Sequence, residues 1–283
     1  RPGGQPDGPP TVGGGEKARG NRYQNGTLER WDAGQQRWLS IAGADGGAAP
    51  TSAGGDPTSN SGHPRISDLD QIFQGQPGQR QRYEELSKQP TNKLSPGEVK
   101  FVRDTREQQV IKPGDLMTKA IKKQDADKLV DGTYQPDVVR GSVARAQDTD
   151  SLRTPQEMRD GLGLDDSPTI AAGGKPWSPI PENAEYAYQL TWRADRGPAN
   201  MSIPYGAPKN TDAGHVESLI TGPLVRQDPP FTGTGSTSGG KPEWVAKDAP
   251  LGKWGQIWRT DRAGNRDLYA EYDPNTNTWS RGR

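Results

Sequence analysis

Apolar residues along this chain recur with two different periods, and the change from one to the other divides it. Ile66, Leu69, Ile72 and Phe73 fall at helical spacing behind a Ser67-Asp68 cap, so residues 66–90 are predicted helical, with RQRYEELSKQ as a second piece. GEVKFVRDT alternates Val99 with Phe101 and predicts a strand. PGDLMTKAIKKQDADKLVDG predicts one or two short amphipathic helices ending at Gly132. PDVVRG reads as a strand closed by Arg140. TPQEMRDGLGL reads as a helix with Thr154 as N-cap and Pro155 at its first position. After residue 175 strands dominate: EYAYQLTW, ANMSIPYG, HVESLI, PEWVA, WGQIWRT and RDLYAEYD. Helices first and a mainly antiparallel β-rich part afterwards predict an α+β fold over 66–283.

Residues 1–65 lack such periods. They form a Gly/Pro-rich arm, expected to be disordered, interrupted at about 21–41 by a small β-hairpin element around Asn25-Gly26 and Ala33-Gly34. The C-terminus echoes that element. An aromatic precedes Asp32 and Asp273, and Trp38 and Trp279 follow six residues later. Trp244, Trp254 and Trp258 read as core or cross-strand residues.

Composition narrows the chemistry. Apolar residues make up 29% of the chain, with 37 glycines and 26 prolines, which fits a folded part diluted by arms and loops. Lys+Arg and Asp+Glu are equal at 36 each, so nucleic acid is not indicated. There is no cysteine, and no apolar run is long enough to predict a membrane span. His63 and His215 are the two histidines, too few for a histidine metal centre, so no metal is expected. His215 reads as a surface or edge-strand residue. GTGSTSGGK, residues 233–241, precedes a strand rather than a helix, so it reads as a flexible loop rather than a phosphate loop. The chain begins with Arg1 and is expected to be a fragment or a processed product.

Chemistry by Arg, Glu, hydroxyls and aromatics remains. Val138-Val139-Arg140-Gly141 ends one predicted strand, and Gly239-Gly240-Lys241-Pro242-Glu243 leads into another that carries Trp244 and Val245. Taken alone, Arg140 reads as an edge-strand arginine paired with Asp137 or Glu157, and Glu243 as a solvated strand residue. Taken together, the two motifs resemble the ADP-ribosyltransferase fold of bacterial toxins, and the related necrotising-toxin NAD glycohydrolases, over residues 136–260. The resemblance implies a secreted toxin domain of the polymorphic type, delivered into a target cell. NAD would be its substrate, an immunity protein a partner, and a target-cell protein a possible acceptor.

By the same resemblance Glu243 is the catalytic carboxylate, stabilising an oxocarbenium-like ribose. Arg140 holds the NAD phosphates, and Gly141 lets the backbone approach. Ser202, or alternatively Thr191, marks the middle Ser/Thr strand. Tyr205, Tyr188 or Phe231 supplies the wall for nicotinamide. Lys241 stands where the family often has a second Glu or a Gln, which implies NAD hydrolysis or an acceptor other than arginine or asparagine. The competing expectation is a non-enzymatic virion, surface or injection-apparatus protein that docks through Trp-rich hairpins.

Overall fold

The structure, a computed structural model, describes residues 67–207, 209 and 230–282, together with three short strands nearer the N-terminus. His63, Ile66, the remainder of the arm, and HVESLI with His215 lie outside the described residues. The chain divides into two units, Arg1–Gly55 and Asp56–Arg283. In the first, β1 (Asn21–Gln24), β2 (Thr27–Asp32) and β3 (Arg37–Ser40) form an antiparallel meander in which Trp31 pairs opposite Trp38.

The second unit is α+β. It begins with α1 (Asp68–Ile72), α2 (Pro77–Leu86) and α3 (Pro96–Arg106), packed around Phe73, Tyr83, Leu86, Leu94 and Val102. α3 replaces the strand expected at GEVKFVRDT. Ser95 and Glu98 form a reciprocal capping box with Pro96 in the first turn, and this start signal outweighs the brief Val99/Phe101 alternation. Next come β4 (Asp115–Ile121), α4 (Lys123–Val130) and β5 (Val138–Arg145). The first half of the expected helical stretch is thus a strand. Met117, Lys119 and Ile121 share one face of β4, and the lysine hides an otherwise alternating pattern.

Three short helices follow, α5 (Ala146–Thr149), α6 (Pro155–Gly161) and α7 (Ser167–Ala171); α6 has the expected Thr154 cap. The rest is β6 (Tyr186–Ala194), β7 (Met201–Ser202), β8 (Trp244–Pro250), β9 (Gly255–Asp261), β10 (Arg266–Asp273) and β11 (Thr278–Arg281).

The eight strands β4 to β11 make one sheet, ordered β11-β10-β9-β6-β4-β5-β8-β7, with every pairing antiparallel. β6 lies inside it. Tyr188, Leu190 and Trp192 face the main core, while Ala187, Gln189 and Thr191 are buried on the opposite face. The sheet curls. Trp279 of edge strand β11 donates Nε1–H to the carbonyl of Pro136, just before β5, at 2.9 Å, although four strands separate β11 from β5 in the order. α4 closes the same side: Asp127 accepts from Arg281 at 2.6 Å and from the Tyr269 hydroxyl. Tyr272 pairs opposite Trp279, the same aromatic register as in the N-terminal meander. Trp244, Trp254, Trp258 and Trp279 are all buried. Among the described residues no helix is long and apolar enough to cross a membrane.

Candidate functional site

β4 and β5 pair only through Met117–Arg145 and Thr118–Ala144, then part. β5 is held instead by β8, with Gly141, Ser142 and Val143 opposite Ala246, Val245 and Trp244. Arg140 does not end the strand. β5 runs on to Arg145 as an interior strand, so the edge-strand expectation is corrected as well. Val139 and Val143 enter the core, and alternation turns Arg140 and Ser142 to the exposed side. The Arg140 guanidinium binds Asp248 and, through Nη2, the Gln135 side-chain oxygen at 3.2 Å, not Asp137 or Glu157.

Glu243 sits one residue before β8, and its place is set by the loop ahead of it. That loop is not flexible, contrary to the reading of GTGSTSGGK. Thr232, Thr234, Ser236 and Thr237 are buried, and their polar groups are satisfied largely within the protein. The Thr234 hydroxyl donates to the Ser87 carbonyl at 2.5 Å, and that of Thr237 to the Gly161 carbonyl at 2.6 Å. Gly235 has φ +79, and a Cβ there would meet Ile203 at 2.4 Å and the Arg106 side chain at 2.9 Å. Polar composition suggested mobility; the three threonine hydroxyls instead donate to backbone carbonyls that burial would otherwise leave short of partners.

Arg106 of α3 anchors both ends of this turn. It is fully buried and donates to the carbonyls of Gly235 at 2.6 Å, Gln109 at 2.9 Å and Glu243 at 2.7 Å. Its guanidinium lies 4.0 Å from the centre of the Trp244 ring, with Arg145 at 5.5 Å from the same centre. Desolvation lowers the pKa of Arg106 to about 10, which still leaves it protonated at neutral pH.

With its backbone fixed, Glu243 lies two residues from Val245, the partner of Ser142 on the neighbouring strand. Both Glu243 and Lys119 keep some solvent contact, but dense protein surrounds their charged ends. Burial raises the Glu243 pKa, against the Ser142 hydrogen bond and the charges of Arg106 and Lys119. Burial lowers that of Lys119, against Asp125 and Glu243. Lys119 projects into the gap where β4 and β5 part, with Nζ 3.4 Å from the Ser142 carbonyl. Gly141, at φ +84, makes room for it, since a Cβ there would lie 3.2 Å from Nζ. Space for this ammonium is what the glycine after Arg140 provides.

Of the residues expected at the site, Arg140 and Gly141 lie on β5, Glu243 just before β8 and Ser202 on β7 opposite Val245, with Arg140 three residues along β5 from Val143, the partner of Trp244. The others do not join them. Thr191 lies on β6, buried, its hydroxyl donated to the Gln256 carbonyl at 3.3 Å. Tyr205 is buried against Gly235 and bridges Thr234, so it is part of the loop's packing. Phe231 packs against Trp177 with ring centres 5.4 Å apart, and Tyr188 meets Tyr269 edge-on at 5.0 Å. Ser142, Lys119 and Arg106 were not expected from sequence. Only Ser142 had a signal there, a hydroxyl residue two places after Arg140 on the same strand face.

Among the described residues no group of three His, Cys, Asp or Glu side chains is placed to hold a metal ion. No family model, curated protein or solved structure matches the chain.

Proposed function

We propose that this chain cleaves NAD at the bond between nicotinamide and ribose, as a toxin domain delivered into a target cell and held in check by an immunity protein. The observation that carries the reading is the β5–β8 pairing, which sets Ser142 opposite Val245, two residues from Glu243, with Arg140 two residues from Ser142 on the same side of β5. In the reaction the C1′–N bond breaks and nicotinamide leaves with the bonding pair. The cationic ribose is stabilised by the Glu243 carboxylate, which the Ser142 hydroxyl orients. Water attacks C1′ and releases a proton, giving ADP-ribose; a target-protein nucleophile in place of water would give transfer. A carboxylate surrounded by protein acts on a developing cation through a lower effective dielectric than one in bulk water. Arg140 serves the pyrophosphate, for which a guanidinium is geometrically suited.

Docking through the C-terminal Trp hairpin is disfavoured, because Trp279 is buried and its N–H is used within the fold. The test is incubation of the intact chain with NAD and chromatographic separation of the products. Nicotinamide and ADP-ribose in equal amounts support hydrolysis, nicotinamide with ADP-ribosylated protein supports transfer, and no nicotinamide overturns the proposal.

A further inference from the structure

Opposite Arg140, β8 carries one residue more than β5. From the Gly141–Ala246 pair, regular pairing would set Lys247 directly across from Arg140, two like charges facing each other. The register resumes at Val139–Ala249, so a bulge intervenes and Asp248 reaches the guanidinium instead. The bulge is braced. Asp248 is left-handed at φ +53, as is Asn200 at φ +56. The Asn200 side chain donates to the Asp248 carbonyl at 3.0 Å, and the Lys247 amide donates to the Asn200 carbonyl at 2.8 Å. This backbone holds a carboxylate against Arg140, yet the two side chains are 61% and 54% exposed. An exposed pair of this kind is weak and screened by salt, so a multiply charged ligand can displace it.

We infer that Asp248 is a built-in competitor for the anion at Arg140, setting how tightly the site takes a pyrophosphate group. The inference rests on the proposed role of Arg140. An incoming pyrophosphate must either take the guanidinium from Asp248 or lie beside a carboxylate of its own sign. Both reduce affinity, and both end when the carboxylate is neutralised.

The experiment titrates inorganic pyrophosphate into the intact chain and into the Asp248→Asn, Arg140→Ala and double variants at low salt, by calorimetry. Asn accepts the left-handed conformation, so the bulge is expected to persist, with thermal melting as the check. Asp248→Gly is the second variant if the first does not fold. Asp248→Asn should bind two- to fivefold more tightly, roughly the equilibrium factor of one exposed ion pair. The gain should shrink with added salt and vanish in the Arg140→Ala background. No tightening, tightening that survives without Arg140, or no binding by any variant overturns the inference. Nicotinamide release, measured separately, distinguishes the two claims. Tightening without NAD cleavage leaves the Asp248 competitor standing and removes only the NAD reading. Cleavage without tightening does the reverse.

Discussion

Ser142 stands opposite Val245 in the β5–β8 pair, two residues from Glu243, and burial of the Glu243 carboxyl outweighs the pull of Ser142 in setting its pKa. Glu243 therefore sits at a cost to the fold, and the cost depends on pH. Folding raises its pKa above the ordinary 4.5, so the native state retains a proton that the unfolded chain has released. The stability this contributes is fully present below the ordinary value of 4.5 and is lost as pH rises through the native pKa. Glu243→Gln has no charge to desolvate. Its stability relative to the wild type should rise with pH across that window and then level off. Melting temperatures of both proteins from pH 4 to 8 check this, and a constant difference would rule it out.

Gly141 holds φ +84 beside the Lys119 ammonium. Gly141→Ala should destabilise the protein by about 1–3 kcal/mol, because a Cβ is strained in that backbone conformation and crowds Nζ. Chemical denaturation measures it. A neutral or stabilising result would mean that β5 does not take this conformation.

Arg106 serves three carbonyls from beneath Trp244. Arg106→Met keeps much of the volume and leaves the three acceptors unmet, at an expected cost of about 3–5 kcal/mol. Amide exchange in residues 232–243 should accelerate more than in β9 and β10. Uniform acceleration would show that Arg106 does not act through this loop.

Trp279 ties β11 to the segment before β5. Trp279→Phe removes that hydrogen bond and part of the buried ring, and should cost about 1–3 kcal/mol. Equilibrium unfolding checks it; a change within about 0.5 kcal/mol, typical of a surface substitution, would argue against closure of the curl by this contact.

Much of the β half was legible because its strands alternate. Tyr188, Leu190 and Trp192 mark one face of β6, and small or polar residues mark the other. β4 was not legible, because Lys119 occupies a core-side position where periodicity expects an apolar residue. α3 was misread from two alternating residues, although its Ser95–Glu98 capping box was present in the sequence. The loop before Glu243 has the composition of a linker. Only its long-range partners, Ser87, Arg106 and Gly161, reveal it as packed interior. Arg140, Gly141 and Glu243 were expected from local motifs, and the β5–β8 pairing sets those motifs on neighbouring strands. Lys119 and Arg106 reach the site from elements with no motif of their own.

The most direct measurement is the rate of nicotinamide release from NAD by the intact chain and by Glu243→Gln, side by side at pH 8, with folding of both confirmed by melting. The account predicts release by the wild type and a loss of a hundredfold or more in the variant, about the effect of removing one electrostatic stabiliser of a transition state. No release by the wild type, or equal release by the two proteins, would contradict it.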